Sequence, residues 1–233
     1  LWKIFWYFQP AGVIIVYHLI KKDILMQKRA MKLSLLLMIF FTFTLSQLEL
    51  VGYTVAVLAV TYQLALGASS LEDKNNSDKI LISLPIKRNI IVLSKYVSVY
   101  VYAAYAILFY SLINAVGHLL HLPLDFPLTF SGAMGAVVAV TLFSSISFPL
   151  IFKYGYLKSK MANILIFFFI IFGGTAFFKF IDADENLALS QKLTAFLSGM
   201  SNAGTFILLV GVLLVMISVS YAISLSFYNK REF

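Results

Sequence analysis

Residues Thr205–Phe227, TFILLVGVLLVMISVSYAISLSF, contain no charged side chain. About 20 mostly apolar residues are what a helix needs to cross the hydrocarbon core of a bilayer. No water is present there to pair backbone N–H and C=O groups, so a single run of this kind closes its hydrogen bonds on itself, as a helix. Five further runs share the character: Leu33–Gln47, Leu50–Leu71, Val97–Gly117, Phe130–Phe152 and Ala162–Phe178. Only Leu48-Glu49 separates the first two, which therefore form a tight hairpin. Of 233 residues, 61% are hydrophobic and 12% charged, against about 45–50% and about 25% in soluble domains. The expectation is an all-α polytopic membrane protein with six transmembrane helices.

The net charge is +8, and its distribution explains it. With the amino terminus inside, one side receives Lys21, Lys22, Lys28, Arg29, Lys32, Lys74, Lys79, Lys87, Arg88, Lys95, Lys153, Lys158, Lys160, Lys230 and Arg231. The other side receives Lys179 and Lys192. Basic residues accumulate in cytoplasmic segments, so both termini are expected in the cytoplasm. The charge reports topology and points away from nucleic acid as a partner. The bilayer itself is the first partner implied.

Three segments outside the spans carry their own patterns. Leu1–Gly12, LWKIFWYFQPAG, is an atypical aromatic prefix ending in Pro-x-Gly. It reads as an interfacial anchor or as an upstream extension. Val16, Ile20, Ile24 and Met31 share one helical face, with Lys21, Lys28, Arg29 and Lys32 opposite. This predicts an amphipathic helix over 16–32, lying on the inner leaflet before span one. After span five, Asp182 and Glu185 have capping-box spacing, and Leu189, Leu193, Phe196 and Met200 recur helically. A short outer-face helix ending near Gly199 is expected.

Signals for covalent chemistry are poor. The absence of cysteine excludes disulfides and thiolate sites. No GxxxxGK[ST] phosphate loop exists. Gly67-Ala68-Ser69-Ser70 holds a G-x-S fragment, but the histidines stand at 18, 118 and 121, not in a later span. His118, His121 and Asp125 are too few and too Leu-rich in surroundings for a metal site. Metal ligands, cofactor-binding residues and catalytic residues are therefore all expected to be none. In span four, Gly132 with Ala136 and Gly135 with Ala139 have the small-xxx-small spacing that lets helices approach closely. No span carries a charge in its middle, which argues against carboxylate-relay coupling to protons or sodium. Energy for any transport must enter from elsewhere.

The block 72–96, EDKNNSDKILISLPIKRNIIVLSKY, is read as a cytoplasmic loop between spans two and three. Ser77 is a candidate N-cap and Asp78 suits a first turn. Pro85 bars continuation and can open the next helix at Ile86. The result is a short rigid helix across the end of a membrane helix, presenting Ile80, Leu81 and Leu84. Positive-inside charge alone explains the lysines but requires neither three aliphatics nor a proline break. The pattern reads as a docking knob.

The stretches Ser77-Asp78-Lys79, Ser83-Leu84-Pro85-Ile86-x-Arg88 and Ile91–Tyr96 resemble the cytoplasmic loop of type-2 ABC exporter permeases. The similarity is greatest to the six-span bacterial subgroup that includes the phenol-soluble-modulin exporter permeases. His18–Asp23 and Phe227–Glu232 also resemble that family, and Lys87 departs from it. The resemblance covers about residues 16–233; a single permease domain is assigned to 13–233. It implies a coupling helix formed by Ser77, Asp78, Ile80, Leu81, Leu84, Pro85 and Arg88, docked on a separate ATP-binding subunit. ATP and Mg belong to that partner, and this chain would have no cofactor and no enzymatic activity of its own. It further implies a second permease chain as dimer partner, a bacterial inner-membrane location, and export of an amphipathic or hydrophobic peptide or drug. The rival reading is a membrane-embedded solute-binding subunit of an uptake system, which needs no proline-broken knob.

Overall fold

The computed structural model describes residues 10–75, 77–121, 129–183 and 202–231. Its helices are α1 (Pro10–Met26), α2 (Lys28–Leu45), α3 (Glu49–Lys74), α4 (Ser77–Ser83), α5 (Arg88–Leu119), α6 (Phe130–Tyr154), α7 (Tyr156–Ala183) and α8 (Asn202–Lys230). A 3-10 turn, Ser46–Leu48, joins α2 to α3. That hairpin closes on glycine: a Cβ at Gly52 would strike the carbonyl oxygen of Leu45.

Among the described residues, five helices are long and apolar enough to cross a membrane: Leu50–Lys74, Arg88–Gly117, Phe130–Tyr154, Tyr156–Gly174 and Ala203–Lys230. The sixth expected span is α2. It has 18 residues, roughly 27 Å of helix, and Lys28, Arg29 and Lys32 sit at its start, so its apolar part is shorter than the other five. The bundle has an inside and an outside. In the most apolar stretches of α3 and α6, 56% of residues are buried, against 11% in α7 and 6% in α8. α3 and α6 form the centre, packed with Val57, Leu64, Val92, Val99, Val140 and Phe143. Gly132 and Ala136 are buried, Ala139 packs on the core, and Gly135 lies against Thr54 of α3.

Two expectations need correction. The amino-terminal helix is not continuous over 16–32. It breaks at Gln27, whose buried side chain donates to the Leu64 carbonyl of α3 across Gly67. Its most buried positions are Leu19, Asp23 and Gln27, spaced at four residues, while Val16, Ile20 and Ile24 are half-buried. Pro10 is the first residue of α1, where a missing N–H costs nothing. The second correction concerns 72–96. α3 continues to Lys74 and α5 already begins at Arg88, so Glu72 and Lys95 are buried helix residues. α5 opens at Arg88 and not at Ile86, with Lys87 O accepting from Ile90 N at 2.9 Å.

α6 passes through Pro149 without interruption. Proline has no N–H, so the carbonyl of Ser145 loses its helical partner. Ser220 of α8 supplies one: its Oγ donates to Ser145 O at 2.7 Å. A hydroxyl has a single proton, so Ser220, having given its own to Ser145, can only accept from Tyr96. Tyr96 OH donates to Ser220 Oγ (2.6 Å) and accepts from Ser224 Oγ (2.9 Å). Ser220, itself held by Tyr96, thereby supplies the bond that Pro149 removes, a device membrane helices use where backbone groups are freed. The expected outer helix lies, from residue 184 onward, outside the described residues, as do residues 1–9 and Asp125.

Candidate functional site

Asp23 follows two lysines in α1, and four-residue spacing puts it on the face of Leu19 and Gln27 that meets the bundle. Glu72 ends the buried face of α3, and Lys95 lies two turns into α5. The three helices bring these groups together. Lys95 Nζ lies 2.8 Å from Asp23 Oδ2 and 2.6 Å from Glu72 Oε2. Lys22 Nζ lies 2.6 Å from Glu72 Oε1 and 3.4 Å from Asp23 Oδ1. Two ammonium groups and two carboxylates therefore alternate in a closed ring of zero net charge, in which Asp23 Oδ1 is held by the longest ion pair alone and has no hydrogen bond. The side chains of Asp23 and Glu72 are 2% and 6% exposed and that of Lys95 10%, while Lys22, at 30%, is the solvent side. Desolvating each such ion costs several kcal/mol, which only close opposite charges and hydrogen bonds offset.

The ring flanks the short helix that the sequence singles out. α4 runs Ser77–Ser83 between the end of α3 and the start of α5. Its carboxyl end is closed locally: Ser83 Oγ donates to Ile80 O (2.8 Å), and Ile86 N donates to Leu84 O (2.7 Å) around Pro85. Leu81 is buried and seats α4 on the bundle, whereas Ile80 is 62% and Leu84 45% exposed, with Pro85 exposed beside them. The predicted apolar face is thus divided between one anchor and two outward residues. Ser77 is the first helical residue, and Asp78 follows it in the same helix.

Arg88 makes a second clamp. Its Nη1 donates to Tyr228 O (3.1 Å) and Asn229 O (2.9 Å), carbonyls that the end of α8 cannot satisfy within the helix. Tyr221 OH donates to Asn89 O at 3.2 Å. Asp73 Oδ2 accepts from Leu157 N (3.0 Å) at the start of α7. Side chains beside α4 therefore hold the ends of α1, α3, α5, α7 and α8.

The helix-packing residues Gly132, Gly135, Ala136 and Ala139 belong to the centre of the bundle and not to this site. Ser69 of the G-x-S fragment donates within its own helix to Ala65 O, and Gly67 serves as the seat for Gln27. Among the described residues no group of three His, Asp or Glu side chains could hold a metal. Sequence reasoning missed the ring. One signal was available: Asp23 is an acid within an otherwise basic inner segment, where an acidic side chain needs a reason.

No curated protein and no solved structure matches the chain. A family model, described as ABC-2 family transporter protein, matches residues 18–229. The match spans α4, the ring and the Arg88 clamp, and the chain belongs to the ABC-2 transporter family, as a membrane permease of an ABC transporter.

Proposed function

We propose that the chain is the permease of an ATP-driven exporter, with α4 as the coupling helix on a separate ATP-binding subunit. The observation that carries this reading is a seven-residue helix with Ile80 exposed on it and Leu84 exposed just after it, set between a buried charge ring and the Arg88 clamp. A partner that pushes on α4 moves α3 and α5 together, and α1 and α8 with them. ATP and Mg act in the partner, whose closure rearranges the spans. Two chains, identical or related, form the pathway, with α2 as the first of six spans and both termini cytoplasmic in a bacterial inner membrane. The substrate is an amphipathic or hydrophobic peptide or drug, in keeping with the resemblance to the phenol-soluble-modulin exporter subgroup.

The test is co-purification with the ATP-binding subunit in mild detergent, together with substrate-stimulated hydrolysis in liposomes. Ile80→Glu with Leu84→Glu is expected to weaken ATPase retention at least tenfold at unchanged melting, since an interface anchor is worth about 2 kcal/mol or more. Lys74→Gln is expected to change little, because an exposed rim charge is screened by salt. Leu81→Glu is not a clean probe, because Leu81 is buried and its loss unseats α4. Full retention and stimulation in the Ile80/Leu84 variant would remove the docking role and favour the solute-binding uptake subunit.

A further inference from the structure

Between the end of α6 and the start of α7 the chain turns on Gly155, whose φ of +81° places it where side-chain-bearing residues are strained. Around this turn opens a cleft of about 410 Å³. It is lined by Lys153 and Tyr154 of α6, Leu157 and Lys158 of α7, Arg231 beyond α8, and Asp73 of α3. A Cβ at Gly155 would lie 3.0 Å from Arg231 Nη2 and 3.6 Å from Asp73 Oδ2, so both charges reach the floor. Among the described residues Lys153, Lys158 and Arg231 line the cleft beside the Asp73 carboxylate, which already accepts from Leu157 N. Lys153 and Lys158 are exposed. Lys153 Nζ stands 4.9 Å from the Tyr154 ring centre and 5.0 Å from that of Phe227.

From Leu157 a lane of exposed apolar side chains climbs α7: Leu157, Met161, Leu165, Phe168 and Phe169, all 48% exposed or more. The spacing keeps them on one side of the helix. The rise from 157 to 169 is roughly 18 Å, about the depth of one leaflet of a hydrocarbon core roughly 30 Å thick.

We infer that this cleft and lane hold one anionic phospholipid of the inner leaflet, its phosphate among Lys153, Lys158 and Arg231 and an acyl chain along α7. The cations account for an anion, and the lane that starts at the same turn offers a long apolar tail a path along α7. Phosphatidylglycerol has both parts, whereas free phosphate has no use for the lane. The inference rests on the membrane placement in the proposed function, which sets Lys153 and Lys158 at the inner leaflet.

The test is native mass spectrometry of the purified full chain in detergent, titrated with phosphatidylglycerol or phosphatidylcholine. Wild type is expected to retain phosphatidylglycerol and release phosphatidylcholine. The double variant Lys153→Gln/Lys158→Gln is expected to lose about thirtyfold in retention, from the attraction of two basic residues to an anionic lipid surface. Lys28→Gln/Lys32→Gln removes the same charge from exposed positions of α2 and is expected to behave as wild type. Equal losses in both double variants, or equal retention of the two lipids, would overturn the site. Displacement of the lipid by millimolar inorganic phosphate would overturn the lipid as occupant and leave an anion site. These measurements do not depend on orientation or on ATPase binding. Impermeant thiol labelling of Lys158→Cys in intact cells tests the orientation separately, so the two readings fail independently.

Discussion

Lys95 and Tyr96 are neighbours in sequence and lie about 100° apart around α5. They serve two opposite kinds of contact. Lys95 enters the ring with Asp23 and Glu72, where full charges join α1, α3 and α5. Tyr96 enters the seam with Ser220 and Ser224, where neutral hydroxyls join α5 to α8 and, through Ser145, to α6. A ring member stripped of its partner is a buried ion, so removing one side of such a pair costs about 3–5 kcal/mol. A hydroxyl bond between membrane helices averages about 0.6 kcal/mol. The difference teaches where the molecule can yield. Helices held by the ring must move together, while helices held by the seam can exchange one weak bond for another.

The sharpest way to break this contrast is Lys95→Met. It leaves Asp23 and Glu72 with Lys22 alone, and a loss of about 3–5 kcal/mol is expected, read as a lower denaturation midpoint in detergent. Lys95→Met with Glu72→Gln restores zero net charge among the remaining members. It is expected to be less destabilised than the sum of the single variants, by more than about 1 kcal/mol. Additive effects would mean that the ring does not act as a unit.

A smaller effect sharpens the seam. Ser220→Ala strips the Ser145 carbonyl of its partner and is expected to cost about 1 kcal/mol. In a Pro149→Ala background the backbone N–H at 149 returns to that carbonyl, so the same Ser220→Ala change is expected to cost less than half as much. An equal cost in both backgrounds would show that Ser220 acts through packing and not by repairing the helix. Of similar size is Tyr96→Phe, which keeps the aromatic contacts with Phe148 and Tyr221 and removes only the hydroxyl with its two bonds. A loss of about 1 kcal/mol is expected, from an average of about 0.6 kcal/mol per bond. A loss as large as that of Lys95→Met would erase the distinction between ring and seam.

Much of the bundle is legible in the order of residues along the chain. The apolar runs beginning at Leu50, Val97, Phe130, Ala162 and Thr205 each lie within a helix long enough to cross a membrane. The short helix after Ser77 and the stop before Pro85 are legible because proline acts locally on its own helix. The ends of α3 and α5 are not. Hydropathy treats Glu72 and Lys95 as residues that leave the membrane region, and it ends a span where a charge begins. A charge with a partner can instead continue a buried helix. The same blindness makes Leu81 one of three docking residues when it is the one that faces inward.

The sequence by itself determined the all-helical class of fold, five of the long apolar helices and the short helix before Pro85. Each of these depends on a residue and its near neighbours: transfer to lipid, helical periodicity and proline geometry are properties of a segment. The tertiary structure alone decided which distant groups meet. Lys22 pairs with Glu72 across 50 residues of chain, Lys95 with Asp23 across 72, and Arg88 with the Asn229 carbonyl across 141. Those pairings depend on the rotation of each helix about its axis and on how far it slides along its neighbour. One residue of rotation turns a side chain by about 100°, enough to exchange a charge ring for a lipid face.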